Sequence, residues 1–204
     1  MSVRAFVSVG LPSEVIGAML SAQARMRLIG RRLPVRWSRP AAMHLTLRFL
    51  GDVPEDVTGP LGDAVRAACA PVAPFVLETA TLGCFPSPES ARVVWLGLGG
   101  ETDGLERLAR VIAAATAPFV TRQEDRVFVP HLTLGRIGEA RRGDLELLAK
   151  GVASVVPERV VWRVGSARLM RSNLRAGGAE HVLLAECPLL GAKTDASDGR
   201  SESP

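Results

Sequence analysis

The sequence predicts an α+β fold of two pseudo-symmetric lobes, each an antiparallel sheet with helices on its outer face, with a functional cleft between the lobes. Three observations support this prediction. An eight-residue stretch occurs twice, as HLTLRFLG at 44–51 and as HLTLGRIG at 131–138, with five identical positions. Strand-like and helix-like segments alternate in both halves of the chain. The 204 residues, 47% of them hydrophobic, suffice for one domain with a substantial core.

The first half of the chain predicts two strands and two helices. A β-branched run near the N-terminus indicates a strand, and Ser13 then caps a helix that ends at Gly30. The first repeat follows as a strand, and Pro71 stops the next helix. The predicted segments are a strand over 4–11, a helix over 13–29, a strand over 43–50 and a helix over 57–68.

The second half predicts five more strands and two more helices. Loops rich in Pro, Ser, Gly or charged residues separate them, at 83–90, 121–126 and 173–180. The predicted strands cover 75–82, 92–98, 128–136, 158–171 and 181–187, and the predicted helices cover 102–117 and 144–150. The overall order is β-α-β-α-β-β-α-β-α-β-β.

Residues 1–190 are expected to form this single bilobal domain. Residues 191–204 are small and polar, and they predict a disordered C-terminal tail. Three widely spaced cysteines, an odd number without a CxxC motif, indicate reduced thiols rather than a disulfide framework. The sequence has no signal peptide and no apolar run long enough to span a membrane, so we expect a cytoplasmic protein.

The chain is basic, with a net charge of +4 and a pI near 9.6, and arginine supplies nearly all of the positive charge. Arginine binds phosphate in a bidentate manner that lysine cannot match. This composition permits an anionic partner, but it is also common in proteins that are simply basic. The cluster of Arg31, Arg32 and Arg36 is open to two interpretations, a solvated connection or a rim that faces a polyanion.

Alternation along a strand divides each repeat into two faces. His44, Thr46 and Arg48 share one face of the first copy, and His131 and Thr133 share the corresponding face of the second. The leucines lie on the opposite faces, which are apolar and must pack against a helix or another sheet. If the two strands lie side by side, two imidazoles and two hydroxyls face one cleft.

Two facing histidines are suited to general acid–base catalysis, because imidazole titrates near neutral pH. A threonine hydroxyl two residues beyond each histidine can donate to an oxyanion, so the pattern fits a phosphoryl group and requires no metal or cofactor. A zinc site of His44, His131 and His181 is the chemical rival, but neither their spacing nor nearby acidic residues favour it. His181 is interpreted as a strand-start or rim residue. No P-loop and no GxSxG motif occurs.

The tandem HLTL motifs resemble those of the two-histidine phosphoesterase superfamily. The segments at 6–12, 35–37, 44–51, 92–98, 130–136 and 169–172 are similar to the RNA 2′,3′-cyclic phosphodiesterase branch, also called RNA 2′-5′ ligase. The resemblance covers roughly residues 3–190. It implies a bilobal fold with a positively charged cleft, and metal-independent hydrolysis of a terminal 2′,3′-cyclic phosphate to a 2′-phosphomonoester, with weak reverse ligation.

The resemblance also implies roles for individual residues. His44 becomes the proton donor and His131 the proton acceptor, while Thr46 and Thr133 bind the substrate phosphate. Beside these, Arg48 and Arg136 are candidate RNA contacts, since each follows its motif closely. Arg136 has the opposite parity to His131, so it needs a strand end or a bend to reach the same face.

The expected partner is RNA with a 2′,3′-cyclic phosphate end, such as a tRNA fragment, and the protein is expected to be monomeric. Two alternatives stay open. One is a phosphodiesterase for small cyclic nucleotides or ADP-ribose cyclic phosphate. The other is an RNA-binding module without turnover, which the two intact motifs disfavour.

Overall fold

The computed structural model describes residues 1–29, 33–120, 127–175 and 178–193. The predicted helix end at Gly30, the charged loop at 121–126 and most of the predicted tail lie outside these residues. Within the described ranges the chain forms nine strands and four α-helices. They are β1 (Ser2–Val9), α1 (Ser13–Ile29), β2 (Val35–Trp37), β3 (Leu45–Pro54), α2 (Thr58–Cys69), β4 (Phe75–Phe85), β5 (Val93–Gly100), α3 (Thr102–Thr116), β6 (His131–Ile137), α4 (Arg142–Ser154), β7 (Val161–Val164), β8 (Ser166–Arg175) and β9 (Gly178–Pro188).

The strands form two antiparallel sheets, with orders β3-β1-β8-β9 and β2-β6-β5-β4-β7. The predicted α+β class, with two antiparallel sheets, is confirmed. In each sheet the repeat strand lies beside the first strand of its own unit, β3 beside β1 and β6 beside β5. The succession β1-α1-β3-α2 therefore corresponds to β5-α3-β6-α4, which is the internal symmetry that the repeat predicts.

The lobes are nevertheless not two half-chains. The long strand predicted over 158–171 is two strands in different sheets, since β7 pairs with β4 whereas β8 pairs with β1. Gly165 lies between them. Strands β8 and β9 therefore extend the sheet of the N-terminal half, and they also occupy most of the loop predicted over 173–180. The short strand β2, which was not predicted, pairs with β6 in the other sheet.

The apolar faces of the repeats lie in the core, as their alternation predicts. Leu45, Leu47, Leu132 and Leu134 are all buried. Fully burying a leucine side chain contributes about 1.5–3 kcal/mol. Helices complete this core with further buried residues at helical spacing, among them Leu61, Val65, Leu105, Leu108 and Ile112. The three cysteines are buried and free, as expected from their number and spacing.

The described start of the predicted tail is bonded to the body. The backbone N–H of Gly191 donates to the Val72 carbonyl at 3.0 Å, and Lys193 pairs with Glu101 at 2.7 Å. The disordered tail stays a prediction for the residues beyond 193. Among the helices that the structure describes, none combines the length and the apolar character needed to cross a bilayer.

Candidate active site

The two repeat strands belong to different sheets, so they are not hydrogen-bonded neighbours. Strand β3 is the edge of the four-stranded sheet, and β6 is the second strand of the five-stranded sheet. The two strands approach each other between the sheets. The side-by-side pairing considered from the sequence is therefore wrong, but the polar faces of the repeats still meet, across the boundary of the lobes.

Each repeat strand contains a β-bulge at the same position of the motif. On β3, Thr46 lies opposite Ser8 and Arg48 lies opposite Val7, so that Leu47 is the extra residue. Bulges reorient side chains and are common next to active sites. The register therefore pairs Thr46 and Arg48 with adjacent residues of β1, although both side chains line the same cleft.

The bulge on β6 has the corresponding effect. Thr133 lies opposite Trp95 and Arg136 lies opposite Val93, and Leu134 is the extra residue between them. Because Trp95 and Val93 are two residues apart on a regular strand, Thr133 and Arg136 share a face. Arg136 thus returns to the side of His131. The bulge is the kind of bend that the sequence analysis required for Arg136, and both arginines line the cleft together with the two threonines.

The second bulge is held by side chains from the first half of the chain. The amide of Gln23, which is buried on α1, donates to the carbonyls of Leu134 and Ser38, both at 2.9 Å. The Ser38 hydroxyl donates to the carbonyl of Thr133 at 2.9 Å. The Leu134 carbonyl also accepts from the backbone N–H of Ser38 at 2.8 Å, and together these bonds fix the backbone on which Thr133 and Arg136 stand.

A cleft of about 1050 Å³ lies between the repeat strands, helix α3 and the segment before β6. Five of the six predicted site residues line it, namely Thr46, Arg48, His131, Thr133 and Arg136. His44 is not among the lining residues. Arg48 is half-buried, and its Nε has no hydrogen-bond partner within the described part of the chain.

The two histidines are held in the same way. Nδ1 of His44 lies 2.9 Å from the Ala42 carbonyl, and Nδ1 of His131 lies 2.7 Å from the Val129 carbonyl. Each acceptor is two residues before its histidine. Because a carbonyl oxygen only accepts, Nδ1 carries a proton in both rings, and Nε2 is left to take up or release one.

The ring of His44 is enclosed by two other rings. Its centroid lies 4.8 Å from that of Phe6 and 4.9 Å from that of His181. His44 precedes β3 and His181 lies on β9, the two edge strands of one sheet, so this contact shows that the sheet curls strongly. Burial, and secondarily the neighbouring His181, lower the pKa of His44 to about 4.

The surroundings of His131 are different. Its ring meets the ring of Phe85 edge-on, with centroids 5.0 Å apart. Burial lowers the pKa of His131, and the nearby charge of Arg136 lowers it further, while the hydrogen bond to Val129 opposes both effects. The two imidazoles therefore have the same hydrogen bond and different neighbours.

Several site residues were not singled out from the sequence. Arg92 and Arg110 add positive charge to the cleft, Glu106 lies one helical turn before Arg110, and Phe128 adds an aromatic wall. Among these residues, only Arg92 could have been found from the sequence, because it belongs to the segment 92–98 that resembles the family. His181 is more than a rim residue, since it packs on His44. The described residues contain no group of three metal-ligating side chains.

The chain matches a known family over most of its length. The family model described as LigT like Phosphoesterase matches residues 9–95 and 98–179. The RNA 2′,3′-cyclic phosphodiesterase of Aeropyrum pernix is 33% identical over 171 residues, which cover 82% of this chain and 95% of that protein. The enzyme of the same name from Geobacillus stearothermophilus is 32% identical over 200 residues, 96% of this chain, and the chain spans only 59% of that protein's length.

Solved structures agree on the fold. The structure of TT0787 from Thermus thermophilus has a TM-score of 0.75 and 28% identity, and covers 92% of this chain and 98% of its own. Escherichia coli LigT complexed with 3′-AMP has a TM-score of 0.74 over 93% of this chain and 99% of its own. At 24% identity, the latter similarity concerns the fold alone.

Proposed function

Because the chain belongs to the family of LigT-like phosphoesterases, we propose that it is an RNA 2′,3′-cyclic phosphodiesterase. It hydrolyses a terminal 2′,3′-cyclic phosphate to a 2′-phosphomonoester, and it catalyses weak 2′-5′ ligation when the 5′-hydroxyl of a second RNA attacks the cyclic phosphate in place of water. One observation carries the proposal: two histidines with the same Nδ1 hydrogen bond, each two residues before a threonine that lines one cleft.

The proposed reaction transfers two protons. His131 accepts a proton from the attacking water as the oxygen bonds to phosphorus. The bond from phosphorus to O3′ then breaks, and His44 donates a proton to O3′. The phosphate stays on O2′, and the two histidines exchange roles in the reverse reaction.

Thr46 and Thr133 have a different part in the proposal. Their hydroxyls donate to the non-bridging oxygens of the phosphate, where negative charge accumulates in the transition state. Both line the cleft, and neither side chain forms a hydrogen bond with another described residue. The hydroxyls are thus free to turn toward a phosphate. Arg48 and Arg136 supply positive charge to the same cleft and are proposed to contact RNA.

The donor role of His44 has a physical requirement. With a pKa of about 4, His44 is neutral near pH 7 in the free protein. A bound phosphodiester carries a negative charge, which raises the pKa of a nearby imidazole. We therefore propose that His44 takes up a proton as the substrate binds, whereas His131 stays neutral to accept one.

The first experiment is a turnover assay. The protein is incubated with RNA that ends in a 2′,3′-cyclic phosphate, with 2′,3′-cyclic mononucleotides and with ADP-ribose cyclic phosphate. The proposal expects RNA to be hydrolysed with the highest kcat/KM and a 2′-phosphomonoester as product. Faster turnover of a small substrate would favour the alternative phosphodiesterase, and RNA binding without turnover would favour a binding module.

A second experiment assigns the two proton transfers. A p-nitrophenyl phosphodiester has a leaving group that needs no proton, so a variant that lacks the acid is less impaired with it than with a cyclic phosphate. His44→Ala should show this relative recovery and His131→Ala should not. The opposite pattern would exchange the two roles.

We further propose that the substrates include tRNA fragments, that the protein acts as a monomer and that it works in the cytoplasm. The basic composition and the arginines of the cleft support an RNA substrate. Light scattering at several protein concentrations tests the monomer. Sequencing of RNA ends that accumulate in a deletion strain tests the substrate.

A further inference from the structure

Two arginines from neighbouring strands face each other next to the cleft. Arg36 on β2 lies directly opposite Arg136 on β6, and Arg136 in turn lies opposite Val93 on β5. Both arginines are exposed. The bulge at Leu134 places the pair on the face of the five-stranded sheet that also carries Thr133.

The arrangement is unfavourable in the free protein. Like charges directly opposite each other on adjacent strands repel. Neither Arg36 nor Arg136 forms an ion pair with any carboxylate that the structure describes, although six other basic residues in the same residue ranges do so. Arg92, which lines the cleft beside Arg136, adds a third guanidinium. An anion between these side chains would relieve the repulsion.

The position of the pair identifies which anion. Arg136 lies close enough to His131 for its charge to lower the pKa of that imidazole. Arg36 lies one strand further out, about 4.8 Å away in the direction of the backbone hydrogen bonds, and does not line the cleft. It is thus displaced from the reacting phosphate, toward the solvent edge where β2 ends the sheet.

We propose that Arg36 and Arg136 form a second phosphate subsite, which binds the internal phosphodiester next to the terminal cyclic phosphate of the RNA. This inference rests on the proposed function and adds a substrate preference to it. Guanidinium groups bind phosphodiester oxygens through charge-assisted, bidentate hydrogen bonds. The RNA chain then leaves the cleft across β6 and β2, and an oligonucleotide is preferred over a mononucleotide because only the oligonucleotide has a second phosphate.

The test compares two substrates in two variants. One substrate is a 2′,3′-cyclic mononucleotide, and the other is a dinucleotide that ends in the same cyclic phosphate. Arg36→Gln removes the charge of the proposed subsite. Arg163→Gln is the matched control, because Arg163 is an exposed arginine on β7, the opposite edge strand of the same sheet.

In Arg36→Gln, the ratio of kcat/KM for the dinucleotide to that for the mononucleotide should fall about 5- to 30-fold, mainly through KM, as expected for one lost charge-assisted bond. The dependence of log(kcat/KM) on log(salt) for the dinucleotide should become shallower by about 0.7. Arg163→Gln should leave the ratio unchanged. An unchanged ratio in Arg36→Gln, or an equal fall in the control, would overturn the subsite.

Failure of the proposed function has a separate signature, which is that the wild-type protein hydrolyses neither substrate. The subsite is then tested by equilibrium binding of a dinucleotide 2′-phosphate and a mononucleotide 2′-phosphate. The wild-type protein should bind the dinucleotide more tightly, and Arg36→Gln should lose that preference. Equal affinities in the wild-type protein would reject the subsite as well.

Discussion

The buried imidazole of His44 should make the stability of the protein depend on pH. The ring is enclosed by Phe6 and His181, and its pKa is lowered from 6.5 to about 4. Between these two values the unfolded chain binds a proton that the folded protein does not. The stabilising contribution is therefore complete above pH 6.5 and is lost progressively as the pH falls toward 4.

The size of the effect follows from the two pKa values. Lowering the pH from 7 to 5 should cost about 2 kcal/mol of unfolding free energy through His44 alone, by proton linkage. This amount is a large fraction of the total stability of a domain, which is about 5–15 kcal/mol. The lowered pKa values of His131 and His181 act in the same direction.

Urea unfolding at pH 7 and pH 5 measures the effect, in the wild-type protein and in His44→Gln. The variant should lose about 2 kcal/mol less than the wild type over this interval, since it lacks the titrating group. Thr46→Ala is the control, because it changes a half-buried residue two positions after His44 and removes no ionisable group. Equal pH dependence in wild type and His44→Gln would refute the reasoning that burial keeps His44 neutral.

Three further predictions concern catalysis and the second bulge. His44→Ala and His131→Ala should each lose about 10²–10⁴-fold in kcat, with the double variant little worse, because acid and base act as one unit. Thr46→Ala and Thr133→Ala should lose about 10- to 1,000-fold in kcat, because each removes one donor to the phosphate and leaves the proton transfers intact. Steady-state kinetics on folded variants measures the effects of the histidine and the threonine substitutions. Near wild-type turnover in His131→Ala would contradict the proposal that the two motifs form one active site. Hydrolysis should continue in EDTA, since the two imidazoles supply both proton transfers, and loss of activity that one divalent ion restores would contradict this. Gln23→Leu should lower the unfolding free energy by about 1–3 kcal/mol in urea titrations, because it removes the two buried hydrogen bonds that the Gln23 amide donates to the Ser38 and Leu134 carbonyls.

Local alternation was sufficient to predict the polar and apolar faces of the repeats. Positions one to three of each motif lie before the bulge, so Thr46 and Thr133 face the cleft and the leucines face the core, as predicted. For Arg136 the alternation showed only that a strand end or a bend was needed, and it did not show that a bulge at Leu134 would provide it. A bulge is defined by the pairing of the repeat strand with its neighbour, β1 or β5. The alternation of residues along the repeat strand alone does not reveal it.

Sheet membership was less predictable than the existence of the elements. The apolar alternation over 158–171 changes phase at Gly165, from Trp162 and Val164 to Ala167 and Leu169, and the prediction of one long strand overlooked this local sign of a division. The segment is divided because β7 pairs with β4 in the five-stranded sheet, whereas β8 pairs with β1 in the four-stranded sheet. The contact between His44 and His181 has the same origin, since it requires the curl that brings both edges of the four-stranded sheet together.

The duplication has kept the backbone of the two half-sites and changed their surroundings. Each histidine donates from Nδ1 to the carbonyl two residues earlier, and each motif has its bulge at the fourth position. Two imidazoles in identical environments would titrate together, whereas acid–base catalysis needs one protonated and one neutral ring at the same pH. Phe6 and His181 enclose one ring, while Phe85 and Arg136 flank the other. The residues outside the repeat therefore set the two pKa values apart in the free protein, and the proposed donor role of His44 requires in addition that the bound phosphate raise its pKa.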